Sequence, residues 1–217
     1  ILVGRAGTQS LLSPAYLFTD HDGHVMPAAF LLGGVITRLA PLVWTWPALS
    51  LVVLQLIASL ALLRALWVIL GWRPVLLVPL CFALFTPLAL PAFAWWAAGL
   101  NYLPMVAAMA WVCGDAVLLA RSGSRRYAIT GSLAFVIGLM FFEKAAVIPF
   151  ASFLLVTLLG HVQGEPHPVR VAWRRGRPLW LASGLITACW VALYVVVVDQ
   201  RRWSWDPAMT WELLARS

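Results

Sequence analysis

Charge is what this sequence has least of. Only 11% of its 217 residues are Asp, Glu, Lys or Arg, while 63% are hydrophobic and the mean hydropathy is +0.90. A soluble globular domain carries charge on about a quarter of its residues, so that class is excluded and a polytopic membrane protein is expected. Lysine is almost missing: fourteen of the fifteen basic residues are arginine, and the exception is Lys144. Cysteine is sparse too. Cys81, Cys113 and Cys189 each lie inside an apolar run with no CxxC or Cys/His spacing, which argues against a disulfide framework or a zinc site. There is no internal repeat and no low-complexity tract. The chain opens on Ile1 and stops in a partly polar stretch at Ser217, so a piece of a longer polypeptide is expected.

What is present is a series of long apolar runs. A bilayer needs about 17 to 25 apolar residues per crossing, and on that measure the expected fold is an all-α, polytopic transmembrane helical bundle with about six spanning helices. The expected crossings are Ala48 to Leu70, Pro74 to Ala92, Leu103 to Ala120, Tyr127 to Phe142, Ala145 to Gly160 and Leu179 to Val198. The fourth and fifth are short and pair naturally as a hairpin about Glu143 and Lys144. A further stretch, Met26 to Trp46, is interrupted by Gly33, Gly34, Arg38 and Pro41. It is open to three readings: interfacial, re-entrant or spanning. The resulting division is residues 1–25 as an Asp/His loop, 26–47 as this interrupted helix, 48–198 as the bundle and 199–217 as a second extracytoplasmic segment.

The arginines give the orientation, because Lys and Arg are retained on the cytoplasmic side. With Ala48 to Leu70 running inward, Arg64, Arg73, Arg121, Arg125, Arg126, Arg170, Arg174, Arg175 and Arg177 all fall on the cytoplasmic side. The formal charge of +7 is then a topology signal, and a nucleic-acid partner is not indicated. Trp44, Trp46, Trp95, Trp96, Trp203 and Trp205 form an expected outer aromatic belt. The chain before Met26 carries one Arg against two Asp, which favours the outside for it.

In a chain so poor in ionisable groups, their clustering carries information. Four of the twelve carboxylate and imidazole side chains, Asp20, His21, Asp22 and His24, fall within five positions. A carboxylate is suited to take a proton from an attacking hydroxyl, and imidazole to orient it or share it. Asp20, Asp22 and His24 are also a candidate set for a divalent cation, Mg²⁺ or Mn²⁺. A helical segment would put Asp20 and His24 on one face, whereas Gly23 suits a turn. A plain polar loop capping the helix that starts near Met26 explains the same residues.

Glu143 and Lys144 form the second constellation. Charged residues deep in apolar sequence normally face a partner or a cavity, and at a membrane boundary they also occur as a snorkelling turn. The functional alternative gives Lys144 an anionic phosphate and leaves Glu143 to orient an acceptor or the Asp/His loop. Asp115, two turns from the cytoplasmic end of its run, is an intramembrane acid with Arg121 or another helix as its expected partner. The segment from Trp95 and Trp96 through Asn101 and Tyr102 to Pro104 reads as a loop that either anchors at the interface or stacks on a sugar ring.

The run Thr19-Asp20-His21-Asp22-Gly23-His24-Val25-Met26-Pro27, with Trp95-Trp96-Ala97-Ala98-Gly99-Leu100-Asn101-Tyr102-Leu103-Pro104 and Phe141-Phe142-Glu143-Lys144-Ala145, resembles the GT-C superfamily of integral-membrane glycosyltransferases, in particular actinobacterial members. The resemblance implies a multi-pass enzyme of the inner (plasma) membrane that moves a sugar from a polyprenyl-phosphate donor to an envelope glycan or lipid acceptor on the outer face. It implies Asp20, Asp22 and His24 as catalytic residues. His21, Trp95, Trp96, Asn101, Tyr102, Glu143 and Lys144 become substrate-binding residues. In that family the catalytic carboxylate follows a first transmembrane helix, and this sequence begins after the place where that helix belongs. A transporter or flippase, or a non-catalytic membrane scaffold, is the competing class. The single intramembrane acid and the lack of a repeat count against transport.

Overall fold

The computed structural model describes residues 10–21, 23–84 and 90–198. Among them the regular structure is helical: α1 (Pro14–Leu17), α2 (Pro27–Leu39), α3 (Thr45–Leu70), α4 (Leu77–Leu84), α5 (Leu90–Ala94), α6 (Trp96–Ser122), α7 (Arg126–Phe141), α8 (Ile148–Val162) and α9 (Pro168–Val197). Short 3-10 turns at Pro74–Leu76 and Glu143–Val147 precede α4 and α8.

Four segments are long and apolar enough to cross a bilayer: α3, α6, the continuous Glu143–Val162 and α9. The chain is therefore a helical membrane protein with several passes; four of its described helices have the length and composition of a crossing, against the six expected. The 74–92 stretch does not form one long helix among the described residues. Pro74, Pro79 and Pro91 recur through its described part, and a proline has no amide donor for the helical ladder. Helix α7 has 16 residues, about 24 Å at 1.5 Å per residue, against a hydrocarbon core of about 30 Å. The tail from residue 199 onward, with Trp203 and Trp205, lies outside the described residues, as do residues 1–9.

Helix α6 is the axis of the bundle. More than half of its most apolar window, 56%, is buried, against 17% in α3, 22% in Glu143–Val162 and 11% in α9. Its Val112, Ala116 and Leu119 pack with Phe135 and Leu139 of α7, Ile148 of α8 and Leu179 of α9 in one apolar core. Small residues set the spacing. A Cβ on Gly138 would meet the Cβ of Ala108 at 2.8 Å, so α7 approaches α6 here only because the side chain is a hydrogen. Elsewhere the outer helix faces are apolar and exposed, as at Val52, Leu133, Leu158 and Leu185. Lipid, not water, is the solvent such faces require.

The polar connections distinguish two ends. Arg121 of α6 donates to the Val68 and Ile69 carbonyls, satisfying the last turn of α3. Ser122 ends α6, Arg126 starts α7, and Pro168 starts α9 beside Gly160 at the end of α8. This is the arginine-rich end. At the opposite end Trp96 Nε1 donates to Ser50 Oγ at 3.0 Å, and Phe141 and Leu100 join Met26 and Phe30 in a second apolar cluster. Helix α2, 13 residues long, leaves this cluster, and the chain re-enters the bundle at the same end through α3. Both ends of the interrupted 26–47 segment thus lie on one side of the bundle.

Candidate functional site

The Asp/His segment folds as a tight turn, not as a helical face. The His21 amide donates to the His24 carbonyl at 3.1 Å and the His24 amide returns the bond to His21 at 3.0 Å. This reciprocal pair is an isolated antiparallel bridge that closes a tight turn. Gly23 takes φ 85°, a left-handed conformation that costs glycine little. Asp20 Oδ1 accepts the Gly23 amide at 2.7 Å, so its carboxylate holds the turn from within. Asp22, the other half of the expected acid pair, lies outside the described residues.

Three parts of the bundle hold this turn in place. The first is α2, which starts almost immediately after it: Val25 is fully buried, and the Phe30 ring meets His21 edge-on at 5.9 Å. The second is the joint between α7 and α8. Phe142 is extended there, at φ −158° and ψ 120°, which ends α7 and turns the following residues toward the loop. His24 Nδ1 lies 2.6 Å from Glu143 Oε1, and the His24 ring packs beside Phe142 at 6.3 Å. The third is α9, whose Tyr194 hydroxyl donates to the Gly23 carbonyl at 2.7 Å.

His24 and Glu143 are 119 positions apart, yet they form one group, joining two constellations that the sequence presents separately. The pair is only partly enclosed, with the His24 side chain 40% and the Glu143 side chain 16% exposed. Glu143 Oε2 is buried and has no hydrogen-bond partner among the described residues. A buried carboxylate oxygen normally finds a donor, so this one retains hydrogen-bonding capacity toward the described residues. Lys144 is exposed, with Nζ 5.2 Å from the centre of the same Phe142 ring that His24 touches.

The tryptophan segment differs from its expected form. Trp96 through Ser122 is one helix, so Asn101 and Tyr102 are helical residues and not loop residues. Pro104 does not end the helix, because a membrane helix tolerates proline where neighbouring helices pack over the freed backbone, and Pro104 is buried. Trp96 is taken up by Ser50 and by a groove of about 260 Å³ shared with Ile36, Thr37 and Ala40 at the end of α2. Trp95 is 69% exposed, as an interfacial anchor would be. The observed contacts place His21, His24, Asp20, Glu143 and Lys144 together, and they give Trp95, Asn101 and Tyr102 no tie to that group.

Among the described residues no three His, Cys, Asp or Glu side chains converge as a metal-binding group. The expected Asp20, Asp22 and His24 set includes Asp22, which lies outside them. Tyr194 was not foreseen. It is a lone hydroxyl in the run Val191-Ala192-Leu193-Tyr194-Val195, and nothing local to it points to Gly23.

Asp115 belongs to a different structure. It is fully buried, and its Oδ1 receives Arg64 Nη2 at 2.5 Å while its Oδ2 receives the Thr130 hydroxyl at 2.5 Å. Arg64 also lies over the Trp111 ring at 4.3 Å. Of the two partners expected for Asp115, Arg121 or a group on another helix, the structure has the second: Arg64 of α3 and Thr130 of α7 meet it, while Arg121 caps α3. Above Arg64 and Thr130 runs an apolar groove of about 830 Å³ between α3, α6 and α7, lined by Leu54, Ala61, Pro104, Ala107, Leu133 and Phe141.

Comparison of the chain with protein-family models, with curated proteins and with solved structures gives no match.

Proposed function

We propose that this chain is part of a GT-C-like glycosyltransferase of the plasma membrane, moving a sugar from a polyprenyl phosphate to an envelope glycan or lipid on the outer face. One observation carries the reading. The apolar groove between α3, α6 and α7 reaches Phe141, and the next residues in the chain are Phe142, Glu143 and Lys144, where the ionisable side chains gather. An amphiphile with a long prenyl tail and a phosphorylated sugar matches that juxtaposition: tail along the groove, phosphate near Lys144, sugar at the turn formed by residues 20–24. The arginine-rich loops occupy the other end of the bundle, and the positive-inside rule then puts the turn on the outer side.

The sugar transfer needs a base for the acceptor hydroxyl and positive charge for the departing phosphate. The turn that carries His24, paired with Glu143, supplies the first and Lys144 the second. Trp95, exposed at this end of the bundle, and Trp96, held by Ser50, suit interfacial anchoring.

The test is transfer in proteoliposomes with a radiolabelled polyprenyl-phosphate sugar. The expected result is label in a glycan or lipid acceptor, lost in His24→Ala and reduced in Lys144→Ala. Label that crosses the bilayer while still attached to its prenyl carrier would instead favour a flippase. Sidedness is checked with a membrane-impermeant thiol reagent on Thr19→Cys in a background without native cysteines. Reaction only after lysis would exclude an outer-face site.

A further inference from the structure

We infer that His24 is the proton acceptor of this site and that Glu143 is its positioning residue. This assignment rests on the glycosyl-transfer reading for the identity of the proton, and on geometry alone for the pair itself. An ionised carboxylate can only accept hydrogen bonds. With Glu143 Oε1 at 2.6 Å from Nδ1, the Nδ1 position carries the hydrogen, and the lone pair of the neutral ring resides on Nε2. The side chain is 40% exposed, and with Nδ1 engaged by Glu143, Nε2 is the ring nitrogen left to meet a ligand.

Everything around the imidazole restricts its motion. Phe142 packs on the ring, reciprocal backbone bonds to His21 fix the main chain, and Tyr194 holds the preceding carbonyl. A base held in one tautomer and one orientation is the arrangement that general-base catalysis requires. Asp20 has a different task. Its Oδ1 is bonded to the Gly23 amide inside the turn, which makes it a determinant of loop shape.

The step balances without a co-reactant. The acceptor oxygen forms a bond to the anomeric carbon as the bond from that carbon to the phosphate oxygen breaks. The hydroxyl proton passes to His24 Nε2, and the bonding electron pair leaves with the prenyl phosphate as its second negative charge. Glu143 faces the imidazolium so formed, and Lys144 carries the positive charge nearest to Glu143 in the chain.

Two measurements test the pair independently. The first needs no activity: ¹⁵N NMR of histidine-labelled protein in nanodiscs. The expected result is His24 as the Nδ1–H tautomer, with the proton redistributing toward Nε2 in Glu143→Gln. An Nε2–H ring in the wild type overturns the inference. The second is kinetic. Glu143→Gln should lower kcat by about 10- to 100-fold with KM unchanged, Glu143→Asp should recover part of the loss, and His24→Ala should lose about 100-fold or more. A His24→Ala protein that keeps its rate while Asp22→Asn loses it overturns the assignment in favour of the aspartate. Wild-type protein that transfers no sugar removes the glycosyl-transfer reading and the assigned proton with it, whereas the tautomer measurement still decides the pairing with Glu143.

Discussion

Arg64–Asp115 and His24–Glu143 each join a base to a carboxylate across a long stretch of chain, 51 and 119 positions, but their surroundings are finished differently. In the first, the carboxylate is fully buried and both of its oxygens are used, one by Arg64 and one by Thr130. In the second, one carboxylate oxygen is used, the other is buried without a partner among the described residues, and the imidazole is partly open. A closed pair inside the membrane has nothing left to offer a ligand, and removing either half strands a charge. A half-closed pair at the mouth of the bundle retains capacity for a ligand. The contrast separates a closed clamp from a partly open pair, although both would be read from sequence simply as charged residues in apolar surroundings.

Breaking the clamp should have the largest effect. Asp115→Ala leaves Arg64 without its counter-ion in a low-dielectric setting, and we expect a loss of about 3–5 kcal/mol. Reversible unfolding in mixed detergent micelles measures it, and the Arg64→Leu, Asp115→Leu double variant should regain most of the loss. Single variants that unfold like the wild type would remove the distinction drawn here.

His24→Ala should invert that pattern. Transfer is expected to fall by about 10² to 10⁴, while stability changes by less than about 1 kcal/mol because the pair is partly exposed. Parallel rate and unfolding measurements on one preparation decide the matter, and a large stability loss would make this pair a second clamp.

A smaller effect is expected where the clamp meets α9. A Cβ on Gly131 would lie 3.2 Å from Leu179 Cδ1 and 3.4 Å from Asp115 Cβ. Gly131→Val therefore overpacks the junction, with an expected cost of about 1–3 kcal/mol in the same unfolding assay and a rate that falls only in proportion to the folded fraction. The smallest change is Tyr194→Phe. Losing one hydrogen bond to Gly23 should cost about 1 kcal/mol, concentrated in the 20–24 turn. Hydrogen exchange of the Gly23 and His24 amides should quicken while exchange in α6 stays unchanged.

Local patterns in the sequence reach some of this structure. The Asp-Gly pair at 22 and 23 is compatible with a turn, and the turn is present because Gly23 accepts a positive φ. The break between Phe142 and Lys144 is legible as two charged residues between apolar runs, since a helix of that composition cannot continue cheaply through lipid. Other features resisted. The 96–104 segment reads as a loop because Gly99, Asn101 and Pro104 are breakers in water, but packing inside a bundle overrides them. Arg64 looks like any other boundary arginine until Asp115 of another helix is seen beside it, and counting charges per loop cannot distinguish a retained arginine from a paired one.

Composition and the lengths of apolar runs were enough, by themselves, to determine that this chain lives in a bilayer as helices, because the cost of exposing a peptide group to lipid is paid residue by residue. Which ionisable groups meet was decided only by the tertiary structure. His24 reaches Glu143, and Tyr194 reaches Gly23, through the packing of α2 on α7 and the stacking of α7 and α9 on α6. Those are long-range packing outcomes, fixed by how side chains such as Gly138, Ala108 and Leu179 interlock, and no periodicity along the chain encodes them.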